Sequence, residues 1–167
     1  MIYESYTELI LKGISQGDQI GGPLALAKIL SESLKSHNKF DEEDVRLKYL
    51  KWWQSDAFDT GPTFASVFSK INKGVDPKLA VKQVHKDFGL NTAGCGPAHR
   101  ALPLAGQFTI PTNQLVDIAR KEAKITHYDD DAGNGSAIVI LLCRYLLEGE
   151  NYKNAQNLIF DNPTLQD

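Results

Sequence analysis

The side chains of this sequence that could do chemistry lie in four loop-forming stretches, and the first of these holds Asp18. Asp18 stands between Gly17 and a Gly21-Gly22 pair, and these glycines would let the backbone approach a ligand closely. A carboxylate is a hard oxygen ligand that suits Mg²⁺, so Asp18 is a candidate metal ligand. Asp18 equally suits a simpler role as the cap of the helix that follows. A single carboxylate does not make a two-metal site.

Asp59 is the candidate for acid–base chemistry and lies in the second stretch, residues 56–63. It precedes a Gly61-Pro62 turn signal, so its carboxylate could point into a cleft as a general base or accept a hydrogen bond from a ribose hydroxyl. The alternative is an Asx-turn, in which the side chain bonds only the local backbone. We therefore name Asp59 as the candidate catalytic residue.

The third stretch, residues 91–100, is a candidate anion-binding loop. Gly94, Cys95 and Gly96 are small and precede a short helix, so their backbone N–H groups could hold a phosphate with His99 or Arg100 nearby. These five residues are the candidate substrate-binding residues of the loop. A second interpretation makes Cys95 a nucleophile, since a helix start lowers the pKa of a thiol and His99 follows four residues later. A plain connecting loop is the third interpretation.

The fourth stretch, residues 125–136, adds a histidine to the candidate substrate-binding residues. His127 could stack on a nucleotide or form a hydrogen bond with it, and Tyr128 offers an aromatic face. His127 equally suits a structural histidine whose hydrogen bonds are satisfied within the protein. The aspartates at 129–131 are best explained as negative charge at the start of a helix.

Helices must position these loops, because the apolar pattern is helical almost throughout. Leu24, Ala27, Leu30 and Leu34 form one stripe, and no segment alternates long enough to predict a strand. Two further helices are predicted after the N-cap candidates Asp41 and Thr112, and another from about Ala132 to Leu147. A helix from about Thr63 to Lys73 is predicted to end at Gly74 as its C-terminal cap, and a helix from Pro77 to Phe88 to begin after Asp76 as its N-cap. We predict an all-α fold with one domain at residues 1–160 and a tail at 161–167.

Composition limits the classes of partner. The 167-residue chain has a net charge of −3 and a pI near 5.8, which predicts no strong attraction to nucleic acid or to an anionic membrane. Its longest apolar run, residues 137–143, is far shorter than the ~20 residues of a membrane span. Two cysteines are too few for a disulfide framework, and the N-terminus lacks the pattern of a signal peptide. We therefore expect a cytoplasmic protein with reduced thiols.

Several segments, taken in order, resemble the ADP-ribosylglycohydrolase family, which also includes the J-crystallins. The segments are residues 24–34, 49–53, 59–63, 94–104 and 126–149, and the similarity extends from about residue 13 to residue 150. The resemblance implies an orthogonal all-α bundle with a cleft for ADP-ribose. It also implies paired Mg²⁺ or Mn²⁺ ions that help water to cleave the glycosidic bond of the distal ribose.

The sequence departs from the family where metal ligands are expected. The first metal motif of the family, Thr-Asp-Asp-Thr, matches Gly-Asp-Gln-Ile at 17–20, where Asp18 is the one carboxylate; the same stretch also resembles the opening Gly-Asp segment of the family. The second metal motif has no counterpart, so the bundle is incomplete relative to the family. Two divalent ions with so few acids would repel each other by roughly 4 kcal/mol per pair of unit charges at 4 Å in an effective dielectric of 20. We expect no tight two-metal centre and keep Mg²⁺ as a candidate cofactor at Asp18.

Three functions are compatible with this pattern. The first is an ADP-ribosylglycohydrolase-like protein that binds ADP-ribose or a related ligand with weak or no hydrolysis. The second is an active, Mg²⁺-dependent hydrolase that depends on Asp18 and Asp59. The third is a J-crystallin-like structural protein, which would form a homo-oligomer through apolar helix faces left uncovered at Trp52, Trp53 and residues 138–147.

Overall fold

A computed structural model describes the backbone of residues 2–166 and the side chains of residues 6–166, and every regular element in this part of the chain is helical. The predicted all-α class is therefore confirmed. The α-helices are α1 (Ile2–Gly17), α2 (Gly22–His37), α3 (Glu42–Ser55), α4 (Pro62–Asn72), α5 (Pro77–Asp87), α6 (Gly96–Arg100), α7 (Pro103–Gly106), α8 (Leu115–Lys124), α9 (Asp130–Leu147) and α10 (Tyr152–Phe160). Two 3₁₀ turns lie at Thr112–Gln114 and Pro163–Leu165.

Most of the helix ends follow from local sequence signals. The side chain of Asp41 accepts a hydrogen bond from the backbone N–H of Asp44 at 3.0 Å, and that of Asp76 accepts one from Leu79 at 3.0 Å, as predicted for N-caps. Gly74 has a φ of 88°, as expected for a C-terminal cap in the left-handed region. Helix α9 begins two residues earlier than predicted, because Asp129 is its N-cap.

One predicted cap was wrong. The Thr112 hydroxyl donates to Glu148 at 2.8 Å and accepts from Arg144 at 3.1 Å, so it joins α9 and does not cap α8. Helices α1 and α10 were not predicted. The division between a domain at 1–160 and a tail at 161–167 stays a prediction, although the carbonyl of Thr164 accepts a hydrogen bond from Arg120 at 2.9 Å.

Helix α9 is the central element, and it packs against α6, α7, α8 and α10. Its Ile140 and Leu141 are fully buried together with Leu30, Leu104 and Leu115 from other helices. No helix of the described chain combines the length and the apolar character that crossing a bilayer requires.

A cluster of aromatic side chains fills the space between α3 and α4. Phe64 and Phe68 stack with ring centroids 4.4 Å apart, and Trp52 and Trp53 lie 6.0 and 6.3 Å from the Phe64 ring. Both tryptophans are half-buried against the core, which corrects the expectation that they lie on an uncovered face. Aromatic pairs at these distances add to the stability gained from burial alone.

Part of helix α9 is uncovered. Ile138, Val139 and Leu146 are 44%, 37% and 43% exposed. Scattered single apolar residues on a surface are ordinary, but three on one helix form a small apolar surface that could contact a partner.

Candidate functional site

The end of α1, the start of α2, the loop before α4, α6 and α9 surround a cavity of about 630 Å³. This volume lies in the range of small-molecule sites, roughly 300–1,000 Å³. The cavity brings together three of the predicted site residues, Asp18, Asp59 and His99. The other lining residues are apolar or glycine, namely Gly13, Ile14, Gly17, Pro23, Ala98, Leu102 and Val139.

Asp18 caps helix α2 from the end of α1. Its Oδ1 accepts a hydrogen bond from the Gly21 N–H at 2.8 Å, and its Oδ2 accepts one from the Leu24 N–H at 2.8 Å. The start of α2 needs this cap because Gly21 has no side chain to provide one. The capping interpretation therefore holds, and two of about four acceptor positions on this carboxylate remain for a ligand.

Gly22 lets the Asp59 loop lie directly against the start of α2. A Cβ atom on Gly22 would be only 2.4 Å from the carbonyl oxygen of Asp59 and 2.8 Å from that of Phe58. Asp59 itself has a φ of 48°, a left-handed conformation that aspartate tolerates better than most residues. This close backbone contact places Asp59 on the same cavity as Asp18.

We expect Gly22→Ala to lower the free energy of unfolding by about 1–3 kcal/mol, because the added methyl group meets backbone that must move. Gly13→Ala is the matched control: Gly13 lies within α1 and lines the same cavity, but its Cβ would meet nothing within 4 Å. Urea unfolding of both variants measures the difference. Equal stabilities for the two alanine variants would contradict the close-contact explanation.

Four other predicted site residues, Gly94, Gly96, Arg100 and His127, form a second group, which we call the donor cluster. A Cβ atom on Gly94 would lie 3.2 Å from Nε2 of His127. A Cβ atom on Gly96 would lie 3.4 Å from Cε1 of His127 and 3.8 Å from Nη1 of Arg100. The two glycines therefore lie directly against the His127 ring, and Gly96 also lies against the Arg100 guanidinium. Helix α6 joins the two groups, since His99 lines the cavity and Arg100 belongs to the donor cluster.

Cys95 lies at the N-cap position of α6 and is an exposed free thiol. Its carbonyl oxygen accepts the backbone N–H of His99 at 3.2 Å. The spacing of four residues that suggested a Cys–His pair is thus explained by the backbone of one helical turn. Within the described residues, no hydrogen bond joins the two side chains.

Arg100 is held by a buried network that sequence reasoning missed. Its Nε donates to Oε1 of Glu122 at 2.7 Å, and its Nη2 donates to Oγ1 of Thr126 at 2.9 Å. The Tyr49 hydroxyl donates to the same Oε1 at 3.0 Å. Glu122 and Arg100 are 0% and 1% exposed. One signal could have revealed Glu122: it lies on the face of α8 that Leu115 and Ala119 share, where an apolar residue is expected.

The charges in this network stabilise each other. Burial is the largest single influence on the pKa of Arg100 and lowers it, but the charge of Glu122, the Tyr49 hydroxyl and the hydrogen bonds together outweigh burial and raise that pKa. Burial and the Glu122 charge raise the pKa of Tyr49 well above its ordinary value, so the phenol keeps the proton that it donates. The hydrogen bonds of Arg100 use Nε and Nη2, and Nη1 lies toward Gly96.

His127 is 4% exposed, and its Nδ1 lies 2.7 Å from Oγ1 of Thr126. Burial, with a contribution from the charge of Arg100, lowers the pKa of His127 to about 3. The ring is therefore neutral at physiological pH. Its protonation costs stability as the pH falls below the ordinary value of about 6.5, because the unfolded chain then binds a proton that the folded chain excludes.

The residues at the cavity do not fit a pair of divalent ions. The cavity offers two carboxylates, and Asp18 already accepts two backbone hydrogen bonds. Within residues 6–166, no group of three or more His, Cys, Asp or Glu side chains is arranged to hold a metal ion. Two carboxylates would leave most of the charge of two divalent cations uncompensated.

A comparison with protein-family models matches residues 18–163 to the model described as ADP-ribosylglycohydrolase. The matched segment covers most of the chain and contains every predicted site residue, from Asp18 to His127. No significant match was found to a curated protein or to a solved structure.

Proposed function

Because the chain belongs to the ADP-ribosylglycohydrolase family, we propose that it binds ADP-ribose or a closely related ligand, with weak or no hydrolysis of the glycosidic bond. The observation that carries this proposal is the joining of two chemically different sites by one short helix. His99 of α6 lines a cavity with two carboxylates, and Arg100 of the same helix lies in the donor cluster.

The two sites suit the two kinds of group in such a ligand. Ribose hydroxyls are hydrogen-bond donors, and the carboxylates of Asp18 and Asp59 accept hydrogen bonds. Phosphate oxygens accept them, and Nη1 of Arg100 faces Gly96, where a Cβ atom would lie 3.8 Å from it. Since Glu122 neutralises the charge of Arg100, the donor cluster offers N–H groups without a strong positive field. We therefore expect moderate affinity.

Weak hydrolysis follows from the residues available for chemistry. Asp59 is the proposed catalytic residue and is exposed at the cavity. A general base contributes about 10²–10⁴-fold to a rate, whereas efficient enzymes reach about 10⁶-fold or more. The two carboxylates that line the cavity are too few to balance the charge of the metal pair that would supply the remainder.

We expect calorimetry to detect ADP-ribose binding, and we expect Gly94→Ala to weaken it about tenfold, because its methyl group would occupy the space beside His127. Gly135→Ala is the control, since its Cβ meets nothing within 4 Å. Absence of heat at ligand concentrations up to about 1 mM would contradict the binding proposal. Rapid, Mg²⁺-dependent release of ADP-ribose from a modified peptide, abolished by Asp18→Asn and by Asp59→Asn, would replace it with the active-hydrolase alternative.

The exposed apolar residues of α9 favour a second candidate function, as a structural or interaction protein. Val139 lines the cavity and also belongs to this surface, so association there would partly cover the cavity. Light scattering distinguishes this candidate. A protein that associates through α9 should show a mass above the 18.5 kDa of one chain, and adding ADP-ribose should change that mass.

A further inference from the structure

The hydroxyl group of Thr126 is placed between a donor and a histidine nitrogen in the interior of the protein. Thr126 is 1% exposed, and its Oγ1 lies 2.9 Å from Nη2 of Arg100 and 2.7 Å from Nδ1 of His127. A guanidinium group has no acceptor, so the hydroxyl oxygen must accept from Arg100. The hydroxyl proton then needs an acceptor of its own, because a buried donor without a partner is costly.

Nδ1 of His127 is that acceptor. If Nδ1 carried a proton, the Thr126 oxygen would have to accept two hydrogen bonds while its own proton stayed buried without a partner. The arrangement that satisfies every group has the hydroxyl donating to Nδ1. A neutral imidazole whose Nδ1 accepts carries its proton on Nε2. The low pKa of His127 is consistent with this neutral form.

Residues further from the ring hold this arrangement in place. Glu122 accepts from Nε of Arg100 at 2.7 Å and from the Tyr49 hydroxyl at 3.0 Å, which prevents the guanidinium from turning away from Thr126. At the other end, Nε2 of His127 faces Gly94, where a Cβ atom would lie 3.2 Å from it. The hydrogen-bond series therefore extends from the core to the donor cluster.

We propose that Thr126 is a positioning residue that holds His127 as the Nε2–H tautomer, so that the donor cluster presents a neutral N–H group to a ligand oxygen. The opposite tautomer would present a lone pair at Nε2 and would favour hydroxyl or amide donors. Thr126 thus determines that this position takes an oxygen that accepts hydrogen bonds, such as a phosphate oxygen. The identity of the ligand rests on the proposed function, but the tautomer does not.

Nitrogen-15 NMR of the imidazole rings tests the tautomer in the unliganded protein. The chain has four histidines, and the His127 signals are identified by their loss in His127→Asn. We expect a protonated Nε2 and an unprotonated Nδ1 in the wild type. Thr126→Val has a similar shape without the hydroxyl, and we expect it to change the tautomer populations; Thr126→Ser keeps the hydroxyl and should restore the wild-type pattern. A protonated Nδ1 in the wild type overturns the proposal, and this result does not depend on whether any variant folds.

The binding consequence is measured with ADP-ribose and, separately, with inorganic diphosphate. We expect Thr126→Val to weaken diphosphate binding about tenfold, the loss associated with one hydrogen bond to a charged group, and Thr126→Ser to restore it. If Thr126 has only a structural role, Thr126→Val should be less stable than the wild type but have the same His127 tautomer. That result would overturn the proposal. Absence of binding to either ligand, with the Nε2–H tautomer observed in the wild type, contradicts the proposed function and supports the tautomer assignment.

Discussion

Replacing Glu122 with glutamine is expected to lower the free energy of unfolding by about 3–5 kcal/mol, the effect of removing one partner of a buried ion pair. Glutamine has nearly the same shape, so the packing of α8 is retained while the charge is lost. Arg100 would then be a buried cation without a counter-ion, and its guanidinium cannot release a proton to avoid this. Urea unfolding followed by circular dichroism measures the loss.

An exposed ion pair provides the control for Glu122. Lys70 and Asp87 approach to 3.1 Å, but the side chain of Asp87 is 57% exposed. Asp87→Asn should therefore cost about 1 kcal/mol or less. A loss for Glu122→Gln no larger than that for Asp87→Asn would show that the Arg100–Glu122 contact is not desolvated.

A double variant separates the charge from the volume of this pair. Arg100→Met combined with Glu122→Leu removes both charges and keeps apolar bulk, and such replacements are often neutral or stabilising. We expect the double variant to be more stable than Glu122→Leu alone, although Tyr49 and Thr126 lose a partner in it. With the wild type and Arg100→Met alone, these variants complete a double-mutant cycle, and its interaction energy reports the coupling of the two side chains.

Arg144→Met is expected to cost about 3 kcal/mol or more, because each buried carbonyl left without a donor costs about 1–3 kcal/mol. The Arg144 side chain is 2% exposed and donates to the carbonyl oxygens of Ala105 at 2.7 Å, Gln107 at 2.8 Å and Ile110 at 3.1 Å. It also lies over the Phe108 ring, 4.4 Å from its centroid. One side chain of α9 thereby organises the backbone between α7 and α8.

Two measurements check the Arg144 prediction. Urea unfolding gives the total loss, and amide hydrogen exchange shows whether opening is concentrated at residues 104–112, as the contacts require. Arg46→Met is the matched control, since Arg46 pairs one turn away with Glu43, whose side chain is 65% exposed, and its loss should cost about 1 kcal/mol or less. Uniform loss of protection across the whole chain, without a local effect, would contradict the proposed local role.

These two networks help to interpret variants at the site. Glu122 and Arg144 are buried, and we expect their replacement to act on stability first. Asp59 is exposed at the cavity, so Asp59→Asn is expected to change chemistry with little change in stability. A loss of binding in a Glu122 variant therefore needs a stability measurement before it is assigned to the ligand.

The sequence alone determined the fold class, several helix ends and the family. The caps at Asp41 and Asp76 could be predicted because each side chain bonds a backbone N–H three residues later. The apolar stripe of α2 could be predicted because the period of a helix is itself local. The family resemblance depended on short motifs in a fixed order, and the match to residues 18–163 confirms it.

Only the tertiary structure decided how the site residues are grouped and what they contact. Asp18 and Asp59 share a cavity because Gly22 admits the backbone of a loop 37 positions away, and Arg100 is paired with a glutamate 22 positions away. Neither contact leaves a local pattern, since any of several carboxylates could have partnered Arg100. The physical reason is that capping and periodicity are properties of neighbouring residues, whereas desolvation and ion pairing depend on which distant residues packing brings together.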